Sequence, residues 1–294
     1  MQEYTILLFY KYTSIRNPEK LRDEQKILWE KLGLKGRMII AKEGINATLE
    51  GTTQNTEKYI TDLLSHTNFA NIHIKKSAGT GNAFPKLSIK VRPEIVAGHL
   101  AEKDINPRKI TGKYLQAEEL HEWFKKKKEF YIVDMRNDFE QAVGMFRNSL
   151  KSGMGYFRDL PKVLDSLEKV KNKTILTVCT GGVRCEKASG FLVANGFSDV
   201  YQLYGGIVTY MEKYPGEDFL GSLYVFDNRL VMGFNMDDPK REIIGTCVVC
   251  KKPSEHFINC KNDFCHRHFI VCLDCLSGKN AMLCPMGCRD YHLI

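Results

Sequence analysis

The cysteines of this 294-residue chain are unevenly placed, and their spacing is where chemistry first becomes visible. None precedes Cys179; Cys179 and Cys185 share one short stretch, and the other eight crowd between Cys247 and Cys288. The stretch reads Cys179-Thr180-Gly181-Gly182-Val183-Arg184-Cys185-Glu186-Lys187-Ala188, between an apolar strand pattern at Thr174–Val178 and a helical pattern at 186–195. Glycines there let the backbone turn so that the N–H groups of Thr180, Gly181, Gly182 and Val183 converge on the Cys179 side chain. The following helix N-terminus and Arg184 add to a cradle for negative charge. A thiol so placed has a depressed pKa and is a thiolate at neutral pH, fit for nucleophilic catalysis. The same cradle suits the outer sulfur of a persulfide. Arg184 reads as a catalytic anion holder or as an anchor pairing with an acidic side chain beneath the loop. Cys185 reads as a resolving thiol that attacks an oxidised or persulfidated Cys179, or as a small buried residue on the helix.

The dense cluster asks for metal. Cys247-x2-Cys250 and Cys272-x2-Cys275 have the spacing of zinc knuckles, interleaved with Cys260-x4-Cys265 and Cys284-x3-Cys288. Eight thiols suit two tetrahedral zinc ions of structural type. The expected sets are Cys247, Cys250, Cys272 and Cys275 on one ion, and Cys260, Cys265, Cys284 and Cys288 on the other. His256, His266 and His268 lie near enough to replace a cysteine, and an iron–sulfur cluster is the competing reading. From Gly221 onward apolar runs are short, so this tail cannot build a sizeable core without a metal.

Elements must position these groups. Residues 4–12, 37–42, 45–50, 72–75 and 87–91 read as strands, with helices at 18–32 and 56–65; the order β-α-β-β-α-β is that of a ferredoxin-like α+β domain. Residues 93–112 show no period and read as linker. A second unit alternates helix 117–127, strand 130–133, helix 156–170, strand 174–178, the cysteine loop, helix 186–195, strand 200–203 and a last helix from Gly205-Gly206. That alternation predicts an α/β parallel sheet, with Asp134 and Cys179 at strand carboxyl ends, where ligands sit. The expected division is a ferredoxin-like domain at 1–95, a linker at 96–113, an α/β parallel-sheet domain at 114–219 and a metal-binding tail at 220–294.

Two enzyme classes place a cysteine loop between a strand and a helix in this way. Tyrosine and dual-specificity phosphatases put five residues between Cys and Arg, a cradle wide enough for phosphate. Here four residues, Thr180 to Val183, separate Cys179 from Arg184, which resembles the rhodanese loop; Asp134-Met135-Arg136, with Glu140 and Gly144, resembles the rhodanese Asp-x-Arg segment. The resemblance extends along the chain. Phe9-Tyr10-Lys11-Tyr12, Glu43-Gly44-Ile45-Asn46-Ala47, the run from Cys179 to Ser189, Tyr204-Gly205-Gly206-Ile207, Val225-Phe226-Asp227-Asn228-Arg229 and Asn259-Cys260-Lys261-Asn262 resemble the tRNA uridine hydroxylase family of rhodanese-domain proteins. That resemblance implies oxygen-dependent 5-hydroxylation of the wobble uridine, with molecular oxygen as co-substrate, the tRNA anticodon loop as partner and Cys179 as the essential residue. Met145 departs from the rhodanese pattern, which often has histidine there. No flavin fingerprint and no two-His-one-carboxylate iron site is visible.

Composition is compatible with this reading. The chain is 43% hydrophobic and 27% charged, with a net charge of +8, as expected of a folded protein able to meet a polyanion. No stretch approaches the roughly 20 apolar residues of a membrane helix, and residues 4–10 read as a strand rather than an export signal, so a cytoplasmic location is expected. Lys125 to Lys128 end a helix, where cations suit its dipole, and read as a solvated helix end or an RNA contact; Lys75, Lys76, Lys86, Lys90 and Arg92 read as a phosphate-binding surface or a solvated sheet edge. Three functions stand side by side: a tRNA-modifying enzyme; a sulfurtransferase passing persulfide sulfur from Cys179 to an acceptor; and a non-catalytic adaptor whose loop is vestigial. A sulfur- or electron-donating protein is a further expected partner.

Overall fold

A computed structural model describes residues 3–100, 105–150, 152–265, 267–277, 282–284 and 288. The N-terminal domain runs β1 (Tyr4–Tyr12), α1 (Pro18–Lys31), β2 (Lys35–Ala41), β3 (Gly44–Thr52), α2 (Thr53–Ser65) and β4 (Ile74–Gly79), with a further strand β5 (Leu87–Val91). The sheet order is β4-β1-β3-β2-β5. Its first four strands are antiparallel neighbours, as a ferredoxin-like domain requires, and β5 joins β2 in parallel. Both helices start where the sequence supplies a cap: the Asn17 side chain accepts from the Lys20 N–H and Thr52 from the Asn55 N–H, each satisfying a helix donor that has no partner within its helix.

Alternation along β1 assigns the two faces of that sheet. Leu7 and Phe9 join the core under the helices with Trp29, Tyr59 and Leu63, whereas Leu8 packs against the core of the next domain. Tyr10, on the same face as Leu8, also points at that domain.

The central domain comprises β6 (Lys113–Leu115), α3 (Ala117–Lys125), β7 (Tyr131–Asp134), α4 (Asp138–Gln141), β8 (Gly144–Phe146), α5 (Val163–Leu167), β9 (Thr174–Val178), α6 (Val183–Ala194), β10 (Asp199–Leu203) and α7 (Gly206–Lys213). Strands β6-β10-β9-β7 form a fully parallel sheet with an apolar layer on each face. The helix expected over 156–170 is broken into a 3-10 helix at Phe157–Lys162, the short α5 and a second 3-10 turn at Glu168–Val170. Pro161 lies inside the first of these; it has no N–H to give and its ring crowds the preceding turn. Within the expected linker, Val96, Leu100 and Ile105 are buried in the central core, so the connection is packed against the domain; residues 101–104 lie outside the described residues.

Beyond α7, β11 (Phe219–Gly221) pairs with β8, β12 (Leu223–Tyr224) with β13 (Val231–Met232), and β14 (Phe257–Asn259) with β15 (His268–Ile270), before the short helix α8 (Leu273–Leu276). The buried cluster of this tail is built from Cys247, Cys260, Cys284 and Cys288 around Phe269 and Val271. Thiols occupy the place that aliphatic side chains hold in the other domains.

Candidate active site and thiol tetrads

Cys179 follows the last residue of β9 and α6 begins at Val183, three residues earlier than the sequence pattern suggests. The turn between them is compact because its carbonyls are claimed from outside. The Ile207 and Val208 N–H groups at the start of α7 donate to the Cys179 and Thr180 carbonyls at 2.9 and 3.1 Å. Lys75, arriving from β4, donates its Nζ to the Gly181 carbonyl at 2.9 Å. With three carbonyls drawn outward, the amides face the sulfur, and the Gly182 N–H donates to Cys179 Sγ at 3.2 Å. Gly182 has a left-handed φ of 101°, and a Cβ on it would lie 2.9 Å from the Tyr10 hydroxyl. A Cβ on Gly206 would lie 2.6 Å from the Gly182 nitrogen, so the loop and the start of α7 approach as closely as they do only because both carry glycine.

Cys179 and Cys185 are both fully buried. Burial by itself raises the Cys179 thiol, but the Cys185 thiol, the Arg184 charge and the Arg184 and Cys185 amides outweigh it and bring the pKa down to about 6. Cys185 moves the opposite way, well above an ordinary thiol, through burial and its hydrogen bond to Cys179. The pair is therefore a thiolate receiving a hydrogen bond from a protonated thiol.

Arg184 reaches past the sulfur to Glu140, with Nη1 and Nη2 at 2.6 and 2.8 Å from the two carboxylate oxygens. Of the two sequence readings for Arg184, the anchor is the one this geometry carries, while its charge still acts on Cys179. Thr180 completes the fork, its hydroxyl 3.2 Å from Arg184 Nη2. The Asp134-Met135-Arg136 segment is likewise architectural: Arg136 pairs with Asp134 at 2.6 Å and donates to the Gly144 carbonyl, all fully buried.

A cavity of about 500 Å³ opens over the loop. Cys179, Thr180, Gly181 and Arg184 form its floor, Leu8, Tyr10, Arg37 and Lys75 of the N-terminal sheet one wall, and Val225, Phe226 and Arg229 another. The last wall is tied across the domains: the Asn228 N–H donates to the Ala83 carbonyl at 2.9 Å, and Arg229 reaches Ser77 Oγ and the Ala78 carbonyl, both at 3.2 Å. Arg37 and Arg158 line the cavity, are exposed and have no carboxylate partner among the described residues.

Sequence reasoning offered Lys75 as one of five exposed cations forming a phosphate-binding surface or a solvated sheet edge. The structure corrects this: Lys75 is 7% exposed, and burial lowers its pKa to about 8. Lys76 pairs with Glu57, whereas Lys86, Lys90 and Arg92 stay exposed. Glu43 and Glu94, which hold the buried Lys187 of α6 at 3.0 Å each, were not assigned a role from sequence. The lysines ending α3 are a solvated helix end: Lys125 and Lys126 lie near Glu122, and Lys128 sits over Trp123.

The tail brings its thiols together in the two sets expected. Cys247, Cys250, Cys272 and Cys275 form one, Cys260, Cys265, Cys284 and Cys288 the other, with the sulfurs of each within 4.8 Å of one another. Four converging thiols fit a tetrahedral metal ion without help from histidine. His256 and His268 are engaged elsewhere, with the Val271 carbonyl and the Tyr224 hydroxyl; His266 lies outside the described residues. No helix among the described residues is long and apolar enough to cross a membrane.

Family comparisons agree with this architecture. The UPF0176 acylphosphatase like domain matches residues 4–95, the Rhodanese-like domain 116–213 and the Rhodanase C-terminal model 220–289. A protein of Cytophaga hutchinsonii named tRNA uridine(34) hydroxylase is 42% identical over 99% of this chain and 91% of its own length. One of the same name from Bacillus cytotoxicus is 42% identical over 98% of this chain and 88% of its own. Among solved structures, a rhodanese-like domain protein from Staphylococcus aureus is 33% identical, covering 33% of this chain and 90% of that one at a TM-score of 0.30. At this identity, sustained over nearly the whole of both chains, the protein belongs to the tRNA uridine(34) hydroxylase family.

Proposed function

We propose that this chain hydroxylates C5 of the wobble uridine in tRNA, with Cys179 as the catalytic thiolate. The observation that carries the reading is the placement of Cys179, a stabilised thiolate on the floor of a cavity walled by all three parts of the chain. An anticodon loop can deliver an unstacked base to such a cavity more easily than a duplex can. Arg37 and Arg158 at its rim suit the phosphates on either side. Thr180, Gly181, Gly182 and Val183 form the cradle, Arg184 holds it through Glu140, and Cys185 donates to the thiolate. Sulfur transfer, the second reading of the loop, is not favoured by the family the chain belongs to, and a persulfide on Cys179 becomes a question about turnover rather than the function.

Molecular oxygen is the oxidant in this reading. Placing one of its atoms in the uracil C5–H bond and releasing the other as water takes two electrons and two protons, so a thiol or an electron-donor protein belongs to the reaction. Zinc is the metal we assign to the two thiol tetrads, in a structural role because four thiolates leave no open position. The units that assemble this site are residues 1–95, the linker 96–113, residues 114–219 and the tail 220–294, in a cytoplasmic protein. The test is growth of a deletion strain carrying this gene under 18O-labelled oxygen, followed by nucleoside mass spectrometry of its tRNA. Labelled 5-hydroxyuridine that depends on the gene supports the reading; its absence, or 5-hydroxyuridine that stays unlabelled because its oxygen comes from water, overturns it.

A further inference from the structure

A second recess lies directly behind the catalytic loop and shares two residues, Tyr10 and Lys75, with the first cavity. Its lining is unlike an ordinary surface dimple. Tyr114 and Tyr204 expose 50% and 38% of their surface, with their rings edge to face at 5.9 Å. The His73 ring backs Tyr204, stacked 5° from parallel at 5.0 Å, so one face of the tyrosine is covered while the residue as a whole stays exposed. Burial and the charges of Lys75 and Lys213 keep His73 neutral near pH 7, with a pKa of about 4. His73 Nδ1 is buried without a hydrogen-bond partner, a cost that native structures rarely leave unexplained. Lys11 and Arg108 stand at the rim without a carboxylate partner among the described residues. The acid in the recess, Glu186, is already spent on hydrogen bonds from Tyr10, Tyr114, Thr111 and Gln202.

Rigid open aromatic faces beside unpaired cations are the means by which proteins hold single-stranded nucleic acid: each base stacks on a ring and each phosphate meets a cation. We propose that this recess is a nucleobase subsite that takes the nucleotide flanking the uridine bound over Cys179. The inference rests on the tRNA reading and deepens it. Tyr10 and Lys75 then stand as a partition between two neighbouring bases, one over the thiolate and one on Tyr204. Splaying the strand across the partition unstacks the reacting uridine from its neighbour, which is what access to its C5 requires. Arg108 and Lys11 hold the connecting phosphates.

The test measures affinity for an anticodon stem–loop RNA by fluorescence anisotropy, with hydroxylation followed separately. Tyr204→Leu is expected to weaken binding at least fivefold, the low end for loss of one stacked base, and Tyr204→Phe to restore it to within twofold. An RNA abasic at the flanking position should bind the wild-type protein about as weakly, and Tyr204→Leu should cost that RNA nothing more. Equal binding by Tyr204→Leu and wild type overturns the subsite, as does an equal loss on intact and abasic RNA. Should Tyr204→Leu fail to fold, Arg108→Ala decides: it should lower the salt dependence of binding by about one phosphate contact, and an unchanged slope overturns the proposal. If no 5-hydroxyuridine is made but Tyr204-dependent RNA binding persists, the hydroxylase reading fails and the subsite stands. If hydroxylation proceeds while these variants bind normally, the subsite alone is lost.

Discussion

Removing the Cys185 thiol tests how the protein makes Cys179 reactive. Burial works against the thiolate, and the Cys185 hydrogen bond is foremost among the interactions that reverse it. A hydrogen bond to a charged group contributes about 1.5–3 kcal/mol, and one pKa unit corresponds to about 1.4 kcal/mol, so Cys185→Ala should raise the Cys179 pKa by roughly one to two units. From a starting value of about 6, the thiolate goes from about tenfold excess at pH 7 to parity or a minority. The direction follows from the sign: lowering the pH through the native pKa protonates Cys179, and the variant reaches that point at a higher pH. The assay is iodoacetamide alkylation of Cys179, followed by peptide mass spectrometry across pH 5 to 10. The variant curve should be displaced to higher pH and meet the wild-type curve above about pH 9. Deleting one buried sulfur costs about 1 kcal/mol or somewhat more of stability, small enough for the fold to survive. A midpoint unchanged within about 0.3 units would refute the argument, because the backbone cradle and Arg184 would then suffice.

Other substitutions probe neighbouring parts. Glu140→Gln leaves the buried Arg184 guanidinium without its carboxylate and should destabilise the protein by about 3–5 kcal/mol, seen as a lower denaturant midpoint; a change under about 1 kcal/mol would show that the pair is not the anchor. Lys75→Met frees the Gly181 carbonyl from its cross-domain donor and should reduce hydroxylation about tenfold or more; unchanged hydroxylation would show that the loop does not depend on this donor. Native mass spectrometry should find two zinc ions per chain, and Cys272→Ser should release one while the Cys260 set keeps the other. Binding of tRNA should weaken steeply between 50 and 200 mM salt, as phosphate contacts dictate.

The parts legible in sequence were those written locally. The strand–Cys179–glycine–Arg184–helix order lies within a dozen residues, and its glycines mark the turn without any knowledge of the distant groups that hold it. The thiol tetrads were legible because knuckle spacing restricts how the sulfurs can be shared. What escaped was set by distance along the chain. Lys75 looked like one of several surface lysines because nothing near it in sequence discloses Gly181, 106 residues away. Arg184 could be read as anion holder, as anchor or as both, but its partner Glu140, 44 residues earlier, could not be named from sequence. The apolar run Ile6-Leu7-Leu8-Phe9 read as a strand, but nothing in it showed that the face carrying Leu8 and Tyr10 would wall the cavity over Cys179. The break in the 156–170 helix could have been read from Pro161, whose effect the apolar spacing concealed.

The most direct test of the account is nucleoside mass spectrometry of tRNA from cells lacking this protein, complemented with wild type or with Cys179→Ala at matched expression. Wild type should restore 5-hydroxyuridine at the wobble position, and Cys179→Ala should leave it absent. Restoration by Cys179→Ala would contradict the account, because the thiolate that the whole loop is built to stabilise would then have no part in the chemistry.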